Sequence, residues 1–212
     1  MEYNLDIRLL PETSITYQQI ADLQHSAFKE RLEQGLLFTS SSMTARQFED
    51  KMKNGSVFVA IDTNTNTLLG TVTIHIGTDK KGIVYGYHEY LAVSPNAKHM
   101  GIATKMADAW SAFLIEQGAR YVLSDTACKA TSSVNWHIKN GFRIYELESY
   151  RSTNYWSYVF IKYLDDSIRK SAFRMKLHYW KSWFLIRITR HKDGTDTRLG
   201  VLYKKAKGKC RN

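Results

Sequence analysis

Residues 91–103 lead from the end of an apolar strand, through a turn with a proline, into the start of a helix; they read Leu91-Ala92-Val93-Ser94-Pro95-Asn96-Ala97-Lys98-His99-Met100-Gly101-Ile102-Ala103. The first amide groups of a helix have no partner within the helix, and the helix dipole favours negative charge at that end. Gly101 has no side chain that would keep an anion away from the backbone. The segment therefore predicts a phosphate site.

Spacing separates three kinds of phosphate motif. The dinucleotide fingerprint Gly-x-Gly-x-x-Gly and the P-loop Gly-x4-Gly-Lys-Ser/Thr are both absent from the sequence. Lys98-x-x-Gly101-x-Ala103, which follows Val93-x-Pro95, resembles the acyl-CoA signature Gln/Arg-x-x-Gly-x-Gly/Ala of the GNAT N-acetyltransferase superfamily. Lys98 differs from the Gln or Arg at the first position of that signature. The small residues that let a pyrophosphate approach the turn, Gly101 and Ala103, are kept.

A second segment, residues 131–142, resembles the closing motif of the same superfamily, Asn-x-x-Ala-x-x-x-Tyr-x-x-x-Gly-Phe. In this register Thr131 takes the place of the Asn and His137 that of the Tyr. Gly141 and Phe142 are typical of a helix end that is followed by a strand. With two motifs in the family's order and spacing, the chain is identified as a GNAT member.

Apolar periodicity and turn residues predict the order β-α-α-β-β-β-α-β-α-β-β over residues 1–164. The predicted elements are strands 3–10, 57–62, 68–76, 83–93, 121–126, 142–149 and 155–164, and helices 16–34, 44–54, 101–117 and 131–140. The fold class is α+β, an α/β/α sandwich around a mixed, mostly antiparallel sheet. The resemblance implies a V-shaped splay between the fourth and fifth strands, which receives the pantetheine arm.

Residues 165–212 form a basic C-terminal extension, with fourteen Lys and Arg against four Asp, while residues 1–164 are neutral overall. We expect one helix with two apolar stripes, one through Met175 and Tyr179 and one through Phe173, Leu177 and Trp180. A hairpin over residues 184–203 and a frayed end, residues 204–209, are expected to follow. The charge fits an anionic membrane surface or another polyanion as partner, or a solvated face that only aids solubility.

Composition narrows the class of protein. The chain has 212 residues, 43% of them hydrophobic, and two prolines, which predicts a globular domain with an appendage. Cys128 and Cys210 are too few and too far apart for a disulfide framework or a metal site, and we expect no metal. The sequence lacks a signal peptide and an apolar run of the ~18 residues that a membrane span needs. These observations predict a cytoplasmic protein.

The resemblance also implies which residues bind acetyl-CoA, the cosubstrate. The backbone of Leu91, Ala92 and Val93 would pair with the pantetheine arm, and Thr131 and Ser133 would hydrogen-bond it. The amides of the turn, with the Thr104 hydroxyl, would take the pyrophosphate; the turn comprises Lys98, His99, Met100, Gly101, Ile102 and Ala103.

Acetyl transfer from a thioester to an amine needs a base for the ammonium proton and an acid for the departing thiolate. Glu89 is the candidate base, because alternation along the strand places it on the face of Leu91 and Val93, towards the cleft. His137 occupies the family's general-acid position, and Tyr145 is the second candidate donor. The simpler interpretations are a solvated or paired Glu89 and a surface His137.

Two functions remain open on the sequence. The first is an N-acetyltransferase that moves an acetyl group from acetyl-CoA directly to a primary amine, such as an amino-sugar or surface-glycan precursor, with protein amines and polyamines as other acceptors. The second is a catalytically degenerate acyl-CoA-binding module, whose basic tail anchors it to a membrane or to nucleic acid. The sequence carries no signal for the oligomeric state.

Overall fold

The computed structural model describes the backbone of residues 3–151 and 153–209, and the side chains of these residues as far as Lys204. The strands are β1 (Leu5–Leu9), β2 (Ser56–Asp62), β3 (Thr67–Thr78), β4 (Val84–Val93), β5 (Tyr121–Ala127), β6 (Arg143–Ser149) and β7 (Trp156–Tyr163). The helices are α1 (Tyr17–Glu33), α2 (Ala45–Met52), α3 (Ile102–Glu116), α4 (Thr131–Lys139), α5 (Ala172–Thr189) and α6 (Arg198–Lys209).

The described strands form one seven-stranded sheet in the order β1-β2-β3-β4-β5-β7-β6. Neighbouring strands are antiparallel except β4 and β5, which are parallel because the chain crosses over through α3. This arrangement confirms the mixed, mostly antiparallel sheet that the sequence predicts. The single parallel pair lies in the middle of the sheet, and its strand β4 ends directly before the turn of residues 94–101.

Helices cover both faces of the sheet, and each face has its own core. On one face α3 packs against β2 and β3, around the fully buried side chains of Trp110, Met106 and Val72. On the other face α1 and α2 contribute Ile20, Phe48 and other apolar residues to a second cluster. The α3 contact is close at Gly86 on β4, where a Cβ atom would lie 2.4 Å from a methyl of Leu114. The result is the three-layered α/β/α sandwich.

Local sequence signals account for the helix starts. Thr44 caps α2 and Thr16 caps α1, each accepting a hydrogen bond from the backbone of the Gln three residues later, whose side chain binds back to the cap amide. Both helices therefore begin with a capping box. Gly101 precedes α3 with a φ of 74°, a conformation that glycine adopts without strain.

The C-terminal extension corrects one expectation. The predicted hairpin over residues 184–203 is wrong, because α5 continues to Thr189 and α6 occupies Arg198–Lys209. In the part of the extension that the structure describes, strand-like pairing is limited to one bridge between Arg190 and Asp196, across the turn at Gly194. The predicted frayed end is also wrong for the backbone of residues 204–209, which is helical, and Cys210 lies outside the described residues. No helix within the described part of the chain is long and apolar enough to cross a membrane.

Candidate active site

The strands β4 and β5 separate at the centre of the sheet. They pair over three residues only, ending at Tyr87 opposite Leu123, although β4 continues to Val93 and β5 to Ala127. A cavity of about 320 Å³ lies at the opening, lined by parts of α1, α2, α4, the two strands and the segment between β6 and β7. The predicted residues Glu89, Leu91, Ser133 and His137 all line it. The opening corresponds to the splay that the resemblance implies.

A β-bulge on β4 shapes this opening. Between the pairs Thr71–Ala92 and Thr73–Glu89, β4 contains one residue more than β3. Tyr90 lies in the bulge with a φ of 55°, which is rare for a residue with a side chain. The bulge reverses the alternation that the sequence analysis assumed: Leu91 and Val93 pack on the α3 side, whereas Glu89 lies beside Thr73 on the other face. The expectation that Glu89 shares their face is therefore wrong.

Glu89 nevertheless reaches the cavity, because it stands beside the gap. Its Oε2 lies 3.3 Å from Nε2 of His75 on β3, and its side chain is 39% exposed. Burial raises the pKa of the Glu89 carboxyl above its usual range, His75 opposes the rise, and the charge of Asp125 adds to it. A carboxylate with a raised pKa that keeps contact with solvent is suited to accept a proton.

Asp125 on β5 is a functional candidate that the sequence analysis missed. It accepts a short hydrogen bond from the Tyr87 hydroxyl, and burial is the main cause that raises the pKa of its carboxyl. Tyr150 also lines the cavity, and burial followed by the Asp125 charge raises the pKa of its hydroxyl. The signal in the sequence was the run Ser124-Asp125-Thr126, polar residues in a strand that should be buried. Two carboxylates thus face the same cavity.

His137 is held as a neutral ring. Since a carbonyl oxygen can only accept, Nδ1 carries the proton and donates to the Ser133 carbonyl at 2.8 Å. The other nitrogen, Nε2, therefore accepts from the Ser124 hydroxyl at 3.1 Å. The ring stacks on Phe160, and burial lowers the pKa of His137 to about 4. At neutral pH Nε2 has no proton to give, so the geometry favours a structural role over proton donation.

Tyr145, the second predicted donor, lies away from the cavity. Its hydroxyl accepts a hydrogen bond of 2.8 Å from Lys170, and its ring stacks on that of His178 on α5. The Cys128 thiol is also a poor nucleophile at neutral pH, because burial raises its pKa to about 12. Neither Tyr145 nor Cys128 is therefore among the residues that line the cavity.

The turn before α3 presents unpaired amides. Within the described residues, none of the amides of His99, Met100, Gly101, Ile102 and Ala103 donates to a backbone carbonyl. His99 and Gly101 both have positive φ, so the turn curls its amides towards solvent. Lys98 does not point into this cradle, since its Nζ is 3.0 Å from the Glu30 carboxylate on α1. The turn fits a pyrophosphate through its backbone.

The remaining predicted residues lie between this turn and the cavity. Thr104 is exposed in the first turn of α3, and Thr131 is exposed at the start of α4. The Ser94 amide donates to Leu69 on β3, so the preceding amide, of Val93, points to the opposite edge, towards the gap. Ala92 is buried opposite Thr71. A cosubstrate can thus extend from the turn along the open edge of β4.

Arg31 on α1 is a further cavity residue that the sequence did not indicate. Its guanidinium lies 5.2 Å from the ring centres of both Phe28 and Phe38. Burial lowers the pKa of Arg31, yet a guanidinium stays charged throughout the physiological range. Lys51 on α2 also lines the cavity. The cavity therefore has two cations as well as two carboxylates.

Solved structures share this fold. An acetyltransferase of the GNAT family from Staphylococcus aureus Mu50 covers 76% of the chain and 99% of its own, with a TM-score of 0.57 and 15% identity. The ribosomal-protein-S18-alanine N-acetyltransferase of Escherichia coli covers 79% and 97%, with a TM-score of 0.60 and 9% identity. A chain of the NatC complex bound to Gag peptide and CoA covers 77% and 99%, with a TM-score of 0.57 and 14% identity.

No curated protein sequence matches the chain. A sequence model of the acetyltransferase (GNAT) family matches residues 17–142, which include α1, the open β4 edge, the turn before α3 and the whole of the second predicted motif, residues 131–142. The match covers more than half of the protein and contains the cradle of amides and the gap between β4 and β5. The chain therefore belongs to the acetyltransferase (GNAT) family, as an acyl-CoA-dependent N-acetyltransferase with acetyl-CoA as its cosubstrate.

Proposed function

We propose that the protein transfers an acetyl group from acetyl-CoA directly to the primary amine of a small acceptor, and that Glu89 is the general base. The observation that carries the proposal is the position of Glu89 beside Asp125, in a cavity at the open end of the only parallel strand pair among the described residues. The raised pKa of Glu89 makes its carboxylate a stronger base than an ordinary glutamate, which favours proton removal from the amine.

The residues present suit acetyl-CoA. The five amides of residues 99–103 would hold the pyrophosphate, and the amide of Val93 together with Ser133 would hold the pantetheine arm. When bound, acetyl-CoA supplies an acyl group that its thioester already activates. The protein's own task is then to align the amine, remove its proton and keep the reacting groups in a narrow space.

The acceptor binds on the side of the cavity that α1 and the segment between β6 and β7 line. Its ammonium is positioned by Glu89 and Asp125, whose carboxylates attract the charged form before the proton is removed. Arg31 and Lys51 would bind an anionic group elsewhere on the same molecule. An acceptor with a phosphate or carboxylate besides its amine, such as an amino-sugar phosphate, matches these charges best.

The basic extension does not contribute to this choice. Among the described residues, none that lines the cavity belongs to α5, α6 or the segments around them. The expectation of an anionic acceptor therefore rests on Arg31 and Lys51, not on the charge of residues 165–212.

Tyr150 is the candidate proton donor for the thiolate, because its raised pKa keeps its hydroxyl protonated at neutral pH and it lines the cavity.

A release assay for free CoA tests the proposal. Acetyl-CoA is offered with matched amines: an amino sugar, its phosphate, an amino acid, a polyamine and a peptide with a free N-terminus. We expect amine-dependent CoA release, fastest with acceptors that have an anionic group. Binding of acetyl-CoA without release in the presence of any amine would support the degenerate acyl-CoA-binding module instead.

A further inference from the structure

We propose that the outward face of α5 docks on the surface of an anionic lipid membrane. Five large apolar side chains on this helix are strongly exposed, and their spacing of four, three, four and four residues places them along one line. This apolar stripe consists of Phe173 (75% exposed), Leu177 (62%), Trp180 (59%), Phe184 (60%) and Ile188 (37%).

The stripe is not the face that attaches α5 to the rest of the protein. Met175 and Ile186, on the opposite side of the helix, are the buried apolar residues of α5. The same side contacts the edge strand β6, where Ser182 accepts a hydrogen bond from the Leu147 amide and His178 lies 2.6 Å from Glu146. Docking of α5 on the sheet therefore leaves the apolar stripe facing solvent.

Basic residues border the stripe on both sides. At 100° per residue, Lys176 and Arg187 fall along one border and Arg174 and Lys181 along the other. None of these four forms an ion pair with another residue in the described part of the chain, and Ala172–Thr189 contains no Asp or Glu. An apolar line between two rows of cations that have no carboxylate partner has the chemistry of a helix that lies in the interface of an anionic membrane.

The charges distinguish lipid from other occupants. A second copy of the chain would bring the same cations against each other, and like charges at an interface oppose association. A nucleic acid would satisfy the cations but would leave five apolar side chains in water. Anionic lipids match both features, since phosphate groups meet the borders and acyl chains receive Trp180, Phe184 and their neighbours. Apolar residues therefore lie on two opposite faces of α5: one face docks on the sheet, and the other forms the exposed stripe.

Vesicle co-sedimentation with the full chain tests the proposal. We expect binding to vesicles of phosphatidylcholine with one third phosphatidylglycerol, weak binding to phosphatidylcholine alone, and a loss of binding as salt is raised. A Phe173→Ser/Phe184→Ser variant should bind at least about tenfold less, because the apolar contribution is removed. Ile115→Ser on α3, also an exposed apolar residue, is the matched control and should bind like wild type.

The contribution of charge is tested separately. Changing Arg174, Lys176, Lys181 and Arg187 to Gln should weaken binding by about fivefold for each cation near the surface. The control with the same loss of charge changes Lys29, Lys53, Lys80 and Lys81, which are exposed elsewhere, and should retain more of the binding. Retained binding of acetyl-CoA shows that each variant is folded. The proposal is overturned if the vesicles do not bind, if the Phe173→Ser/Phe184→Ser variant binds like wild type, or if that variant abolishes a dimer or RNA binding instead.

Discussion

Gln24 on α1 donates a 2.6 Å hydrogen bond from Nε2 to the main-chain carbonyl of Tyr90, the residue with positive φ in the β4 bulge. The Gln24 side chain is fully buried, and its Oε1 has no hydrogen-bond partner among the described residues. A buried amide that makes one bond to a strained backbone position indicates that the bond holds the bulge in place. The bulge in turn sets the direction of Leu91 at the cavity.

We predict that Gln24→Met lowers kcat/KM by about tenfold while it changes the free energy of unfolding by less than about 1 kcal/mol. The substitution removes the bond to Tyr90 but also removes the unsatisfied Oε1, so the two effects on stability offset each other. Steady-state kinetics and urea unfolding measure both quantities. Gln18→Met, exposed on the same helix, is the control. A variant with wild-type kcat/KM would show that the bulge does not depend on Gln24.

The two glycines that flank α3 allow a controlled test of the phosphate site formed by the amides of residues 99–103. Gly101 and Gly118 have φ values of 74° and 76°, and a Cβ on either would meet nothing within 4 Å. We predict that Gly101→Ala and Gly118→Ala each cost about 1 kcal/mol of stability through backbone strain. Only Gly101→Ala should weaken acetyl-CoA binding in calorimetry, by at least about tenfold, because its methyl occupies the approach to the amides. Equal affinities would contradict the placement of the pyrophosphate.

Burial of neutral His137 predicts a pH dependence of stability. Its folded pKa of about 4 lies below the ordinary value of 6.5, so the unfolded chain binds the proton first as pH falls. Stability is complete above pH 6.5 and is lost between there and about pH 4, by about 3 kcal/mol for this group. His88, whose pKa burial also lowers, acts in the same direction.

His137→Gln removes this titration and leaves that of His88. We expect the unfolding free energy of the variant, measured in urea at several pH values, to fall less steeply than that of wild type below pH 6.5. Curves with the same slope would mean that His137 is not the neutral, buried group described above.

Asp125→Asn tests the acceptor side of the cavity. The change removes a carboxylate that attracts the ammonium, so the KM for the amine should rise by about tenfold to a hundredfold, while acetyl-CoA affinity stays the same. Burial raises the pKa of Asp125, so folding is opposed by the cost of burying its charge. Because the uncharged Asn avoids this cost, the variant should also melt at a higher temperature. Asp108→Asn, exposed on α3, should change neither quantity. An unchanged KM would remove Asp125 from acceptor binding.

The sequence predicts most of the sheet because local signals and the chain order agree. Thr44, Gly101 and Gly141 mark helix ends, and Asn64 lies in a turn that joins two apolar runs. The face of Glu89 could not be predicted, because a bulge shifts alternation by one residue and depends here on a hydrogen bond from a helix 66 residues away.

The other differences also come from tertiary contacts. Asp125 becomes a cavity residue because β5 no longer pairs with β4 after Leu123. Phe184, Ile186 and Ile188 stand at every second position, as in a strand, yet they continue α5. Ile186 docks on the sheet, while Phe184 and Ile188 join the exposed stripe. A helix with apolar residues on two faces cannot be distinguished from a strand by alternation over five residues.

The pH dependence of kcat for wild type and Glu89→Gln tests most directly whether Glu89 is the general base. Wild-type kcat should fall towards acid pH with an apparent pKa above 4.5, the ordinary value for Glu. Glu89→Gln should lower kcat by about a hundredfold to ten-thousandfold and abolish this acid limb, with acetyl-CoA binding unchanged. Glu49→Gln, exposed on α2, is the control and should behave like wild type. A Glu89→Gln enzyme with wild-type kcat and the same acid limb would contradict the account.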